Sequence, residues 1–128
     1  ETSLDLNQEG YSSRLSFSYL EAKNSSTSER LLRRPRIMCN LVVQHANNER
    51  TLGIGLKLIN DVMDIDGATF STITGDDYAI MRLFGDYQIT ETIKLVGRIE
   101  NLMDENYEEV DGYPALGRAI HAGLSFSF

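Results

Sequence analysis

Cysteine occurs once, at Cys39, which excludes an intramolecular disulfide framework and a Cys-rich zinc site. The two histidines, His45 and His121, lie far apart and do not suggest a metal cluster. No apolar run reaches the roughly 18 residues of a membrane helix. A chain without such a helix is either soluble or a β-barrel, since only a closed barrel otherwise satisfies its backbone in lipid. Basic residues are outnumbered, 12 Lys and Arg against 19 Asp and Glu, and a net charge of -7 argues against general nucleic-acid binding. Proline is scarce, at 2 residues, and glycine is dispersed, so the chain does not read as disordered. It opens Glu1-Thr-Ser, with no initiator Met and no positively charged apolar leader, as expected of a mature product or a piece of a longer chain. Its 128 residues suffice for one ordinary domain.

What is present is alternation, clearest in the last residues. Ile120, Ala122, Leu124, Phe126 and Phe128 are apolar, while Ala119, His121, Gly123, Ser125 and Ser127 are small or polar. Period two marks a strand with one face in an apolar medium and one in a polar medium. A soluble domain rarely ends on two exposed Phe, whereas the last strand of an outer-membrane barrel can end at its aromatic girdle. His121, Gly123, Phe126 and Phe128 also fit the C-terminal assembly signal of such barrels.

The same period recurs upstream, predicting strands over about 1–7, 11–21, 37–45, 51–59, 78–89, 93–101 and the terminus. Short turns are expected at 8–10, 46–49 and 90–92, and long loops at roughly 22–36, 60–77 and 102–118. Mid-strand charges fall on the non-apolar parity: Asp5, Arg14, Lys57, Arg82, Asp86, Lys94, Arg98 and Glu100. Phe84, Val96 and Val42 interrupt that parity. A soluble sandwich alternates too. A barrel must, because Lys or Arg on its lipid face at mid-bilayer costs about 2–4 kcal/mol. Connections that alternate short and long match tight periplasmic turns and long outer loops. The expectation is all-β: an antiparallel, up-and-down transmembrane barrel, here about seven strands of a larger one, since bacterial barrels are even-numbered and start at about eight.

Residues 98–107, Arg-Ile-Glu-Asn-Leu-Met-Asp-Glu-Asn-Tyr, followed by Glu108-Glu-Val-Asp-Gly-Tyr-Pro-Ala-Leu-Gly-Arg118 and the terminal strand, resemble the end of a TonB-dependent outer-membrane receptor. Met103 stands where that family usually has Phe. Glu29-Arg-Leu-Leu-Arg-Arg-Pro-Arg36 and Asp76-Asp-Tyr78 also resemble it, and the vitamin B12 receptor branch is the nearest. The resemblance implies the last strands of a 22-stranded barrel in the Gram-negative outer membrane, with plug domain and TonB box lying outside residues 1–128. It implies proton-gradient-driven import of a scarce, large nutrient, a cobalamin or ferric siderophore. The implied partners are the plug, TonB and its complex, the barrel assembly machinery and outer-membrane lipid, with no cofactor.

On that reading Arg82, Asp86, Lys94, Arg98 and Glu100 face the plug, or else form a solvated lumen wall. Tyr107, Asp111 and Tyr113 are candidate ligand contacts in the third loop. Asp61, Asp64, Asp66, Asp76 and Asp77 are expected to make a solvated acidic loop, with a nonspecific divalent-cation site as the alternative; an EF-hand register fails, with Val62 and Ile73 at its end positions. Cys39 falls on the lipid-facing parity as a small apolar residue. Tyr11, Tyr19, Tyr78, Tyr87 and Phe126 are expected in the girdle and in packing. No Ser or Cys nucleophile stands in a recognisable setting, so catalysis is not expected. The rivals are a complete small anchor or adhesion barrel, a soluble β-sandwich binding module and, more remotely, an outer-membrane enzyme.

Overall fold

The computed structural model describes residues 1–127; Phe128 of the expected assembly signal lies outside them. Its strands are β1 (Thr2–Gln8), β2 (Tyr11–Tyr19), β3 (Ile37–Ala46), β4 (Arg50–Asn60), β5 (Met63–Ile65), β6 (Thr72–Thr74), β7 (Tyr78–Gln88), β8 (Ile93–Glu100), β9 (Glu108–Val110), β10 (Tyr113–Pro114) and β11 (Ala119–Phe126). Seven of them form one antiparallel sheet in the order β1-β2-β3-β4-β7-β8-β11. Every main-sheet strand pairs with its neighbour along the chain once the two small hairpins, β5-β6 and β9-β10, are set aside. That is an up-and-down meander, with β1 and β11 at its two edges.

The short turns follow from their residues. Glu9 and Gly10 both take positive φ, 45° and 83°, as a two-residue hairpin of the twist-compatible type requires. A Cβ at Gly10 would also stand 2.7 Å from the carbonyl oxygen of Ala46. At the next short turn the Asn47 carboxamide oxygen accepts from the amides of Glu49 and Arg50, both at 2.9 Å. At the third, Thr90 Oγ1 accepts from the amides of Thr92 and Ile93 at 3.3 and 3.1 Å.

Register then sorts the side chains. Leu4, Leu15, Leu41, Leu56 and Met81 are consecutive partners in one apolar row across β1, β2, β3, β4 and β7. The next position along β1 and β2 pairs Asp5 with Arg14, whose Nε lies 2.6 Å from the carboxylate. Two large side chains on the polar parity are accommodated by glycine. Phe84 lies over Gly53, its partner in β4, and Arg82 lies over Gly55, where a Cβ would come within 2.7 Å of its Nε. The Arg82 guanidinium sits 5.4 Å from the Phe84 ring centroid.

No second layer covers the apolar face among the described residues. Leu52 is 60% exposed, Leu124 56% and Leu95 44%. Burying a Leu instead of leaving it in water is worth about 1.5–3 kcal/mol, so a whole face of such residues requires an apolar solvent. The buried hydrophobic residues, Ile59 and Val62, lie at the long-loop end. A soluble sandwich, whose two inner faces share a dry core, does not fit.

Three expectations need correction. The second, fifth and sixth strands stop at Tyr19, Gln88 and Glu100, two, one and one residues short of their expected ends. The second and third long loops are not irregular: β5-β6 and β9-β10 stiffen them. Of the girdle and packing roles expected for Tyr78, only packing holds: it shares the polar parity with Ile59 and stacks on Tyr107, away from a girdle on the apolar face.

Leu15 and Ser16 are adjacent at the middle of β2 on opposite faces. In the closed barrel refolded into vesicles, Leu15→Arg is expected to cost about 2–4 kcal/mol of stability in urea titrations, and Ser16→Arg under about 1 kcal/mol. Equal losses would mean that both faces meet the same medium.

Candidate functional site

All three long loops leave the same end of the sheet, and charge ties them together. The basic run before β3 meets the acidic run after β4. Arg30 Nη1 donates to Asp61 Oδ1 at 2.7 Å, and Arg36 Nη1 stands 2.8 Å from Asp61 Oδ2. The hydrogen bond from Arg30 outweighs the effect of burial, so the Asp61 carboxyl titrates below its ordinary value.

Asp64 is the centre of this cluster, and it is buried. Its Oδ1 accepts from Arg33 Nε and the Ile65 amide, both at 2.8 Å. Its Oδ2 accepts from the Asp111 amide at 2.8 Å. One carboxylate therefore joins the first loop, the β5-β6 hairpin and the β9-β10 hairpin. Burial alone would raise its pKa. The donors from Asp111, Ile65 and Arg33 more than compensate, and the carboxyl stays ionised below the ordinary range. Further bonds run between the second and third loops. Asp76 Oδ2 accepts from the Glu108 amide at 2.9 Å, and Asp111 Oδ2 from the Gly67 amide at 3.2 Å. The Tyr107 and Tyr78 rings stack 4.1 Å apart, and burial pushes the Tyr107 hydroxyl pKa up.

The third loop is organised by the residues that carry the family resemblance. Asn101, buried and at φ 49°, donates to the Glu105 and Leu116 carbonyls at 2.8 and 3.2 Å and accepts from the Glu105 amide at 2.8 Å. Asp104 Oδ1 accepts from the Arg118 amide at 2.7 Å, and Arg118 Nε donates to the Leu102 carbonyl at 2.9 Å. A Cβ at Gly117 would come 2.9 Å from that same Asp104 oxygen. The motif is thus a loop-closing device.

Of the expected loop contacts, Asp111 and Tyr107 are engaged within the loops, whereas Tyr113 is 74% exposed. Tyr113 borders an open cleft with Arg33, Glu109, Val110 and Ala115. On the polar face of the sheet, Lys94 pairs with Asp86 at 3.4 Å and Arg98 with Glu100 at 3.3 Å. Arg82 makes no ion pair among the described residues and rests on Phe84. His121 and Gly123 lie on the polar parity of β11, opposite Arg98 and Val96, and Phe126 lies on the apolar one. The expectation of a solvated acidic loop fails at Asp64 and at Asp61, which hold arginines. It does not foresee the pairing of Arg30, Arg33 and Arg36 with these carboxylates, and Asn101, Asp104 and Arg118 enter the sequence reading only within the segments that resemble the family. The one available signal was the basic character of residues 30–36 set against the acidic character of 61–77. Among the described residues no cluster of His, Cys, Asp and Glu is arranged to hold a metal ion.

No family model matches the chain. Among curated proteins, the vitamin B12 transporter BtuB of Vibrio cholerae serotype O1 is 30% identical over 111 residues, which cover 85% of this chain and 18% of the transporter. The chain thus spans about a fifth of the length of the curated relatives it matches. The siderophore receptor PirA from Acinetobacter baumannii superposes with a TM-score of 0.83 at 18% identity, over 98% of this chain and 21% of that one. The copper transporter OprC gives 0.80 at 19% identity, over 98% of this chain and 23% of that one. A one-layer antiparallel wall with a bare apolar face, superposing on these barrels, is a segment of an outer-membrane β-barrel. In fold and sequence it resembles the barrel strands of TonB-dependent receptors.

Asp64→Ala is expected to raise hydrogen exchange at the Ile65 and Asp111 amides by at least about tenfold, since bonds to a charged group are worth about 1.5–3 kcal/mol. Because the folded pKa is lowered, the contribution is complete above the ordinary value of 3.8 and is lost as pH falls through the folded value. Protection should therefore hold from pH 7 to 5 and collapse only below about 4. Loss near pH 6 would assign the latch to another group.

Proposed function

We propose that these strands are part of the wall and outer mouth of a TonB-coupled importer, and that its nutrient is a cobalamin. The observation that carries this is the 30% identity to a vitamin B12 transporter across 85% of the chain. The sheet has open edges at β1 and β11. Unpaired edges are not tolerated in lipid, so further strands of a longer chain close the barrel. A plug domain of that chain fills the lumen and carries the TonB box. The proton gradient of the inner membrane supplies the work through TonB.

In this reading the polar face is the lumen wall. Arg82, Asp86, Lys94, Arg98 and Glu100 line the plug, with two ion pairs already formed within the wall. Those pairs lower the wall's demand for plug partners, which suits a plug that must rearrange. The loop cluster holds Tyr113 at the mouth, where it contacts the incoming ligand. The barrel assembly machinery recognises the terminal strand through His121, Gly123, Phe126 and Phe128. The apolar face meets outer-membrane lipid.

The test is uptake of radiolabelled cyanocobalamin by cells that lack their own B12 transporter and express the full-length chain. Uptake is expected with TonB and an energised inner membrane, and loss of uptake, with surface binding retained, on deleting TonB or adding an uncoupler. Arg98→Leu is expected to change the uptake rate without abolishing surface binding. Uptake of a ferric siderophore but not cobalamin would overturn the ligand. Uptake that survives the uncoupler would overturn the coupling.

A further inference from the structure

The apolar face is not uniformly covered by large side chains. Near the short-turn end, Leu52, Gly85, Gly97 and Ala122 are consecutive partners in one row across β4, β7, β8 and β11. Above the row, Leu83, Ile99 and Ile120 are likewise partners; below it, Tyr87 pairs with Leu95. Between these walls runs an open groove of about 500 Å³. A row across strands that tilt by about 35–45° also slants through the bilayer, along a path an acyl chain can follow.

Two observations separate this groove from an incidental gap. The first concerns its glycines. A Cβ at Gly85 would strike the Thr51 carbonyl oxygen at 2.7 Å, so packing alone accounts for Gly85. A Cβ at Gly97 would meet only the His121 carbonyl oxygen, at 3.8 Å. Glycine weakens a strand interior, and here nothing in the wall forbids a larger residue. The second concerns Arg50, which borders the groove and is exposed. It shares the apolar parity with its partner Tyr87 at the short-turn end and makes no ion pair among the described residues. A guanidinium on that face reaches the headgroup layer by snorkelling, and its planar fork matches a phosphate. A tyrosine beside it suits the same interface.

We propose that this groove is a binding site for one glycerophospholipid of the inner leaflet, its phosphate on Arg50 and one acyl chain lying over Gly97 between Leu95 and Ile99. The inference rests on the membrane reading above. Short turns mark the periplasmic side of such barrels, where the headgroups belong to phospholipid.

The test uses the full-length barrel in detergent, its fold verified by heat-modifiable gel migration, titrated with phosphatidylethanolamine, phosphatidylglycerol, lipid A or inorganic phosphate and read by native mass spectrometry. One tightly held phospholipid per barrel is expected. Arg50→Gln should weaken it about tenfold, the effect of losing a charge-assisted hydrogen bond. Gly97→Leu should weaken it comparably by filling the groove. Ala79→Leu, on the same face at the other end of β7, should leave it unchanged. Equal binding by all variants, equal loss in all three, or preference for lipid A or for phosphate alone would overturn the site. A chain that shows no heat-modifiable folded form would instead overturn the membrane reading.

Discussion

Backbone pairing edge to edge, with hydrocarbon on one side and water on the other, is the constraint from which the rest of this structure follows. Between the two edges of the main sheet, inter-strand hydrogen bonds satisfy the amides and carbonyls, so each strand can cross an apolar layer without a covering layer. The side chains then need only alternate. The row from Leu4 to Met81 and the Asp5–Arg14 pair beside it are two faces of one choice. Within that wall glycine is used where a large residue must lie flat on the polar face, as with Phe84 over Gly53 and Arg82 over Gly55.

Stability at the loop end has a different origin. There the chain leaves lipid, and the buried residues Ile59, Val62, Asp64 and Asn101 gather. Ionic and amide contacts replace alternation as the organising force. Asp64 is costly to bury, yet it holds Arg33 and two backbone amides, so removing it would strand three donors together. Three loops that would otherwise sample separate conformations are held as one unit. The proposed import function would gain from that, because a pre-ordered surface loses less entropy when it captures a ligand.

The strands of the wall were legible because period two survives in every one of them, and the turns because Glu9-Gly10, Asn47 and Thr90 have local chemistry. The hairpins β5-β6 and β9-β10 were not legible. Strands of two or three residues are too short to show a period, and their positions are set by partners across loops. The Arg–Asp cluster was hidden for the same reason: Arg30 and Asp61, like Arg33 and Asp64, are 31 residues apart. Asn101 was noticed only as part of a family pattern; its role in closing the third loop appears once Glu105 and Leu116 are brought back to it. Tyr78 is expected only in the girdle or in packing; its own parity, which places it on the polar face beside Tyr107, decides for packing.

The claim of one-sided wetting is tested most directly by spin labels placed singly along β8 of the folded barrel in bilayers, with collision rates to oxygen and to a water-soluble nickel chelate. Labels at Ile93, Leu95 and Ile99 should collide with oxygen and be shielded from nickel, and labels at Lys94, Val96 and Arg98 should show the reverse. Labels at 93, 95 and 99 shielded from both reagents would reveal a covered protein core and contradict the account.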